Sequence, residues 1–220
     1  MNLLRVATLG AATALLVPAA AHAATLETDA PCYLEGQGVG VRGTGWGPGT
    51  AWSVRADQIF AQGVADPTGT WTDLTQVKAP IVPEITTAPT TVTLTGQQDG
   101  TDVASTTFQV VNFLVDPKGR ATGKPTQKTT FAFSGFVPGQ AIYVHVKKKG
   151  SSKVYTNKVG TAATPCGTLS KRLKRLPAVP AKKIKFGNYT LAFDSRKKYA
   201  KPNGQFNQFT LGITIYKKFV

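Results

Sequence analysis

GWGPGTAWSV (45–54) returns ninety positions later as GFVPGQAIYV (135–144). Gly45, Pro48, Gly49, Ala51 and Val54 match Gly135, Pro138, Gly139, Ala141 and Val144, and an aromatic follows the first Gly each time. A self-similar chain is read repeat by repeat, so two copies of one β-rich unit are expected. Proline presets φ for a tight turn, and the following Gly can take the positive φ the turn needs. Trp46 and Phe136 are expected to fold back over the end of a core rather than to stack on a ligand.

Working outward, short strands recur between turn residues. In the first copy they are placed near 32–35, 38–44, 51–56, 58–64, 70–77, 91–95 and 105–112. GPG (47–49), DPTG (66–69) and QQDG (97–100) separate them. VTLT and FQVV alternate apolar and polar, as half-buried antiparallel strands do. Residues 24–30 read as a short flexible leader, and the prolines at 80, 83 and 89 make 79–89 a crossover loop or edge. In the second copy FAFSGF (131–136) answers VRGTGW (41–46), and TPCGTLS (164–170) answers DPTGTWT (66–72). NYTLAF (188–193) and FTLGITIY (209–216) close the second unit.

The expected organisation is therefore a first domain over 24–112, a linker or first edge strand over 113–128, and a second domain over 129–220. With 22 Gly, 14 Pro and no long helix-period segment, the fold class is all-β: two tandem antiparallel β-sandwich domains. Arg5, the apolar run 9–21 and Ala21-His22-Ala23 predict a secretory signal cleaved between Ala23 and Ala24. The run is shorter than the roughly 20 apolar residues a membrane span needs. An extracellular location follows, with non-covalent attachment to the cell envelope as an option.

GTGWGPGTAWSV (43–54) with ADPTGTW (65–71) resembles the bacterial immunoglobulin-like repeats of secreted and cell-surface proteins, which carry a G-x-G-[FW]-x-P-G turn. FSGFVPGQAIYV (133–144) with TPCGTL (164–169) is a second, degenerate match, in which Cys166 and Leu169 replace a turn residue and an aromatic. The resemblance implies Ig-like sandwiches that act as spacers, adhesive modules or carbohydrate-binding adjuncts. Its motifs are structural, so it speaks to fold more than to role.

Charge divides the chain. Residues 24–115 hold three basic and nine acidic side chains, whereas residues 116–220 hold 22 basic and two acidic ones, Asp116 and Asp194. A surplus confined to one domain points to a polyanion partner through Coulomb attraction and counterion release. The candidate polyanion-binding residues are Lys147, Lys148, Lys149, Lys171, Arg172, Lys174, Arg175, Lys182, Lys183, Lys185, Arg196, Lys197 and Lys198. Expected partners are an anionic cell-wall polymer or acidic polysaccharide, an anionic membrane surface, and nucleic acid only non-specifically. The bland alternative is a solvated surface that serves solubility. LSKRLKRLP (169–177) has leucines at helical spacing, as a membrane-surface helix would, but it fills the slot of TWTDLTQV and is read as a strand or irregular segment.

Little points to catalysis. Past the signal the one histidine is His145, so triads and His-rich zinc sites lack partners. No catalytic residue, metal site or cofactor is expected. GVGVRG (38–43) fits a dinucleotide fingerprint only formally, because no helix can follow it. Asp99 and Asp102 are too few oxygens for calcium. A Cys166–His145 dyad, as in wall-modifying transpeptidases, is the enzymatic alternative. Cys32 and Cys166 fall one per domain. With Cys32 at the outer pole of the first domain, a bridge would require the domains to fold back side by side. Free thiols, such a bridge and intermolecular pairing all stay open. The function expected is a secreted, non-enzymatic binding or structural protein, with a passive spacer as the first alternative.

Overall fold

The computed structural model describes residues 23–56, 59–73, 77–118, 124–201 and 207–216. Of the expected signal segment, 1–23, all but Ala23 lies outside the described residues. Alternation builds the strands. In β1 (Thr25–Thr28), β3 (Val41–Thr44) and β6 (Trp71–Asp73), Leu26, Val41 and Trp71 face inward while the next residues, Glu27, Arg42 and Thr72, are exposed. These three strands form one antiparallel sheet in the order β1-β3-β6. The opposing sheet uses β2 (Cys32–Leu34), β4 (Ala51–Ala56), β5 (Ile59–Val64), β7 (Thr90–Gln98) and β8 (Thr101–Val111), in the order β2-β8-β7-β4-β5. Among the described residues only β2 and β8 pair in parallel. Between the two sheets lie Leu26, Val41, Trp71, Val54, Leu94, Phe108 and Val110. Each such side chain contributes roughly 1.5–3 kcal/mol of burial.

The second unit repeats the plan. β9 (Leu114–Lys118), β10 (Lys128–Ser134) and β13 (Leu169–Lys174) form one sheet, ordered β13-β10-β9. β11 (Ala141–Lys148), β12 (Val154–Thr161), β14 (Gly187–Asp194) and β15 (Phe209–Ile215) form the other, ordered β12-β11-β14-β15. Phe131 and Phe133 of the first sheet meet Ile142, Val144, Leu191 and Phe193 of the second. One 3-10 turn, Ala181–Lys183, precedes β14. Both units thus follow the strand order of immunoglobulin-like sandwiches.

One local reading needs correction, and two that left alternatives are resolved. The supposed leader 24–30 contains β1, because the single apolar Leu26 is enough to dock it beside β3. Within 113–128 the segment Leu114–Lys118 is an edge strand paired with β10. The basic stretch 169–177 begins as strand β13 rather than as a helix, held by pairing with β10.

The quoted echo is a true structural equivalence. Trp46 N donates to Gly69 O at 3.0 Å, and Phe136 N donates to Gly167 O at 3.3 Å. Trp46 and Phe136 are both buried at the end of their cores. Trp46 Nε1 also donates to Thr25 O at 3.0 Å, and its ring meets Trp71 edge-on.

The units run head to tail. β8 ends at Val111 and β9 begins at Leu114, so the second copy's turn faces the first sandwich. There Ser134 Oγ donates to Asn112 O at 2.7 Å. Cys32 and Cys166 form a disulfide across this junction, with Cα atoms 5.3 Å apart. The expectation that Cys32 sits at the outer pole is wrong. Parallel pairing sets Cys32 opposite Gln109 near the end of β8, which brings it to the junction without any folding back.

Candidate functional site

Thirteen basic residues were singled out by sequence, and the second sandwich distributes twelve of them over three places. The β11–β12 hairpin lies at the pole remote from the junction, because β11 leaves the junction and β12 returns to it. The segment between β13 and β14 reaches the same pole. Lys148, Lys149, Lys183 and Lys185 therefore meet there, and Lys153, which the sequence reading omitted, joins them around a cleft of about 310 Å³. Lys147 borders a second cavity of about 610 Å³, which shares Lys148, Lys149 and Tyr189 with the first. Lys182 is exposed on the same 3-10 turn.

A second group lies on the outer face of the β13-β10-β9 sheet. Arg172 and Lys174 point away from the core, and Lys174 stands directly opposite Lys128. Like charges in that position repel. Lys171 is exposed on the same strand but shares the register row of Phe131. The third group, Arg196, Lys197 and Lys198, is exposed after β14, at the junction end. Arg175 does not belong to any surface group: it is buried, at 8% exposure, next to Leu176.

Two carboxylates occur in 116–220, and both are engaged. Asp116 pairs with Lys118 at 2.5 Å. Asp194 is buried beside His145. Both serve these local contacts, and the formal charge of 116–220 stays strongly positive. By contrast, both arginines of the first sandwich are paired, Arg42 with Glu27 and Arg55 with Asp102.

His145 sits on the sheet face that normally meets solvent, in one row with Thr156 and Ala192. It is nevertheless buried, with Tyr199 from the segment after β14 lying over it at 5.6 Å between rings. Nε2 donates to Asp194 Oδ1 at 3.3 Å, and Nδ1 lies 2.8 Å from Thr156 Oγ1. Burial alone would push the Asp194 carboxyl up. Hydrogen bonds from His145, Gln208 and the Arg196 backbone outweigh it and hold the carboxyl below its usual range. In the first sandwich, burial and the Asp29 carboxylate push the Tyr33 hydroxyl up to about 12.

The Cys166–His145 dyad is overturned. Cys166 Sγ is bonded to Cys32 and cannot be a thiolate nucleophile, and His145 is spent on Asp194 and Thr156. Among the described residues, no group of three or more His, Cys, Asp or Glu side chains could hold a metal. No helix among them is long and apolar enough to cross a membrane.

No protein family matches the chain, and no curated protein matches it. Among solved structures it is similar to the human OSCAR ligand-binding domain, at 10% identity over 87% of this chain and 97% of that one, with a TM-score of 0.35. It is also similar to a tetra-tandem repeat from the extending region of a large adhesion protein (12% identity, TM-score 0.32). That match covers 88% of this chain and 49% of the other. A third likeness is to a structure concerned with host cell surface retention of a 1.5-MDa bacterial ice-binding adhesin, at 13% identity, with 87% and 63% coverage and a TM-score of 0.33. At such identities and scores these likenesses lend no role to the chain.

Proposed function

We propose that this is an extracellular, non-enzymatic binding protein whose second sandwich holds it to an anionic polymer of the cell envelope. The observation that carries this reading is the uncompensated charge. Residues 116–220 hold 22 basic and two acidic side chains, and those two acids contact Lys118 and the buried His145. Cations concentrated on one unit attract a polyanion over the screening length of the medium. The loss of the cysteine nucleophile to the disulfide supports a role without catalysis.

The test is retention of the full, disulfide-bonded chain on an immobilised glycerol-phosphate polymer. The salt is raised from about 50 mM to about 500 mM, which shortens the screening length several-fold. Retention at the low end, released as salt rises, is expected. No retention at any salt would leave the passive spacer as the better reading.

A further inference from the structure

The remote pole carries more than diffuse charge. The β11–β12 hairpin turns at Gly150, where Ser151 N donates to Lys148 O at 3.1 Å, and Lys149 N donates to Asn188 O at 2.8 Å. Across the cleft, the Tyr189 hydroxyl donates to Lys185 O at 2.7 Å and accepts from Lys185 N at 3.0 Å. Those two bonds staple the segment before β14 to the sheet. Val179 and Ile184 anchor the same segment to the core. The walls are thus held by backbone pairing and burial, and the lysine chains project from a fixed frame.

The lining chemistry is selective. Lys148, Lys149, Lys153, Lys183 and Lys185 surround a space of about 310 Å³, and no acidic residue lines it. One carboxylate cannot balance five ammonium groups, whereas closely spaced phosphates can. The cleft has no arginine fork for bidentate carboxylate recognition, so its cations act as point charges. Its aromatics do not offer an open face: Tyr189 is buried, and Lys153 Nζ lies over the Tyr155 ring at 5.3 Å from the centroid. Stacking on a sugar or base is therefore not its mode of recognition. The adjoining 610 Å³ cavity shares Lys148, Lys149 and Tyr189 with the cleft, so a polymer longer than the cleft meets further cations beside it.

We propose that this cleft seats closely spaced phosphate groups of an anionic polymer. The proposal rests on the polyanion reading above and adds the site and the ligand chemistry. Sodium tripolyphosphate is the probe, titrated calorimetrically into the full chain, with a glycerol-phosphate polymer, polyglucuronate and phosphatidylglycerol vesicles as parallel arms. The cleft variant is Lys149→Glu with Lys183→Glu. The control, with the same change of charge, is Arg172→Glu with Lys174→Glu. All four side chains are exposed, and circular dichroism checks that both variants keep the wild-type fold. The cleft variant should weaken tripolyphosphate and glycerol-phosphate polymer by at least about tenfold and the control by less than about threefold, as contact charges outweigh distant ones. Equal losses in both variants would overturn the cleft while leaving the polyanion reading intact. Polyglucuronate binding as tightly as the phosphate polymer would overturn the phosphate assignment. Vesicles bound in preference to the polymer would make the source a lipid headgroup and overturn the polymer. A wild-type chain that binds none of the four would remove both the cleft and the reading beneath it.

Discussion

Gly69 and Gly167 show what a single residue does in this chain. Each has a positive φ, and a Cβ would stand 2.1 Å from Trp46 O at Gly69 and 1.5 Å from Phe136 O at Gly167. The clash is with backbone, which cannot swing aside. Gly139 also has a positive φ but opens onto free space. Gly167→Ala should therefore cost at least about 3 kcal/mol, combining backbone strain with a forced displacement. Gly139→Ala should cost only about 1–2 kcal/mol, the left-handed penalty alone. Urea unfolding of the two variants measures the difference, and equal losses would contradict the contact. Gly167 was legible as the partner of Gly69 in the aligned turns, although Cys166 and Leu169 blur the motif. The burial of Arg175 was not legible, because a basic residue in a basic run has the same letter whether it faces water or core.

The element of most consequence is the segment that follows β14. Its Tyr199 covers His145 on a sheet face whose alternation predicts solvent, and His145 and Asp194 become a buried pair whose outer partner, Thr156, stays exposed. Arg196 N donates to Asp194 Oδ1 at 2.7 Å and Gln208 Nε2 donates to Asp194 Oδ2 at 2.7 Å, so residues near both ends of the segment meet on the same carboxylate. The Asp194 carboxyl is held below its unfolded value, so its contribution to stability is full above about pH 5 and lost as pH falls below about 4, through its folded value. Asp194→Asn should destabilise by about 2 kcal/mol at pH 7, through poorer hydrogen bonding in a buried site. It should also flatten the acid-side fall in stability. Thermal melts from pH 7 to pH 3 test this, and an unchanged acid slope would count against it. His145 and Asp194 are 49 positions apart. The pairing depends on a strand register that the sequence pattern does not specify, since a shift along the sheet keeps the same alternation.

At the scale of the whole molecule, the disulfide closes a span of 134 residues and joins two separately cored sandwiches. Its main effect should be on orientation rather than on either core. Reduction, or Cys32→Ser with Cys166→Ser, should leave the far-ultraviolet β spectrum intact and widen the distribution of inter-sandwich distances. Small-angle scattering or a pair of spin labels reads this out, and an unchanged distribution would mean that the junction contacts suffice alone. Clamping matters to the proposed role, because it sets the acidic sandwich and the basic pole at opposite ends of one body.

Turn chemistry and alternation are local properties, and they carried the sequence reading far. The repeated GWGPG and GFVPG turns, the period-two strands and the confinement of positive charge to 116–220 were all determined by residue order alone. Three things were decided only by tertiary structure. Cys32 reached the junction because β2 runs parallel to β8. His145 left the surface because a distant segment folded over it. The lysine clusters divided between a remote cleft, an outer sheet face and the junction end. Each depends on which strands become neighbours, and that is settled by burying two apolar faces against each other, a cooperative outcome that no stretch of residues encodes by itself.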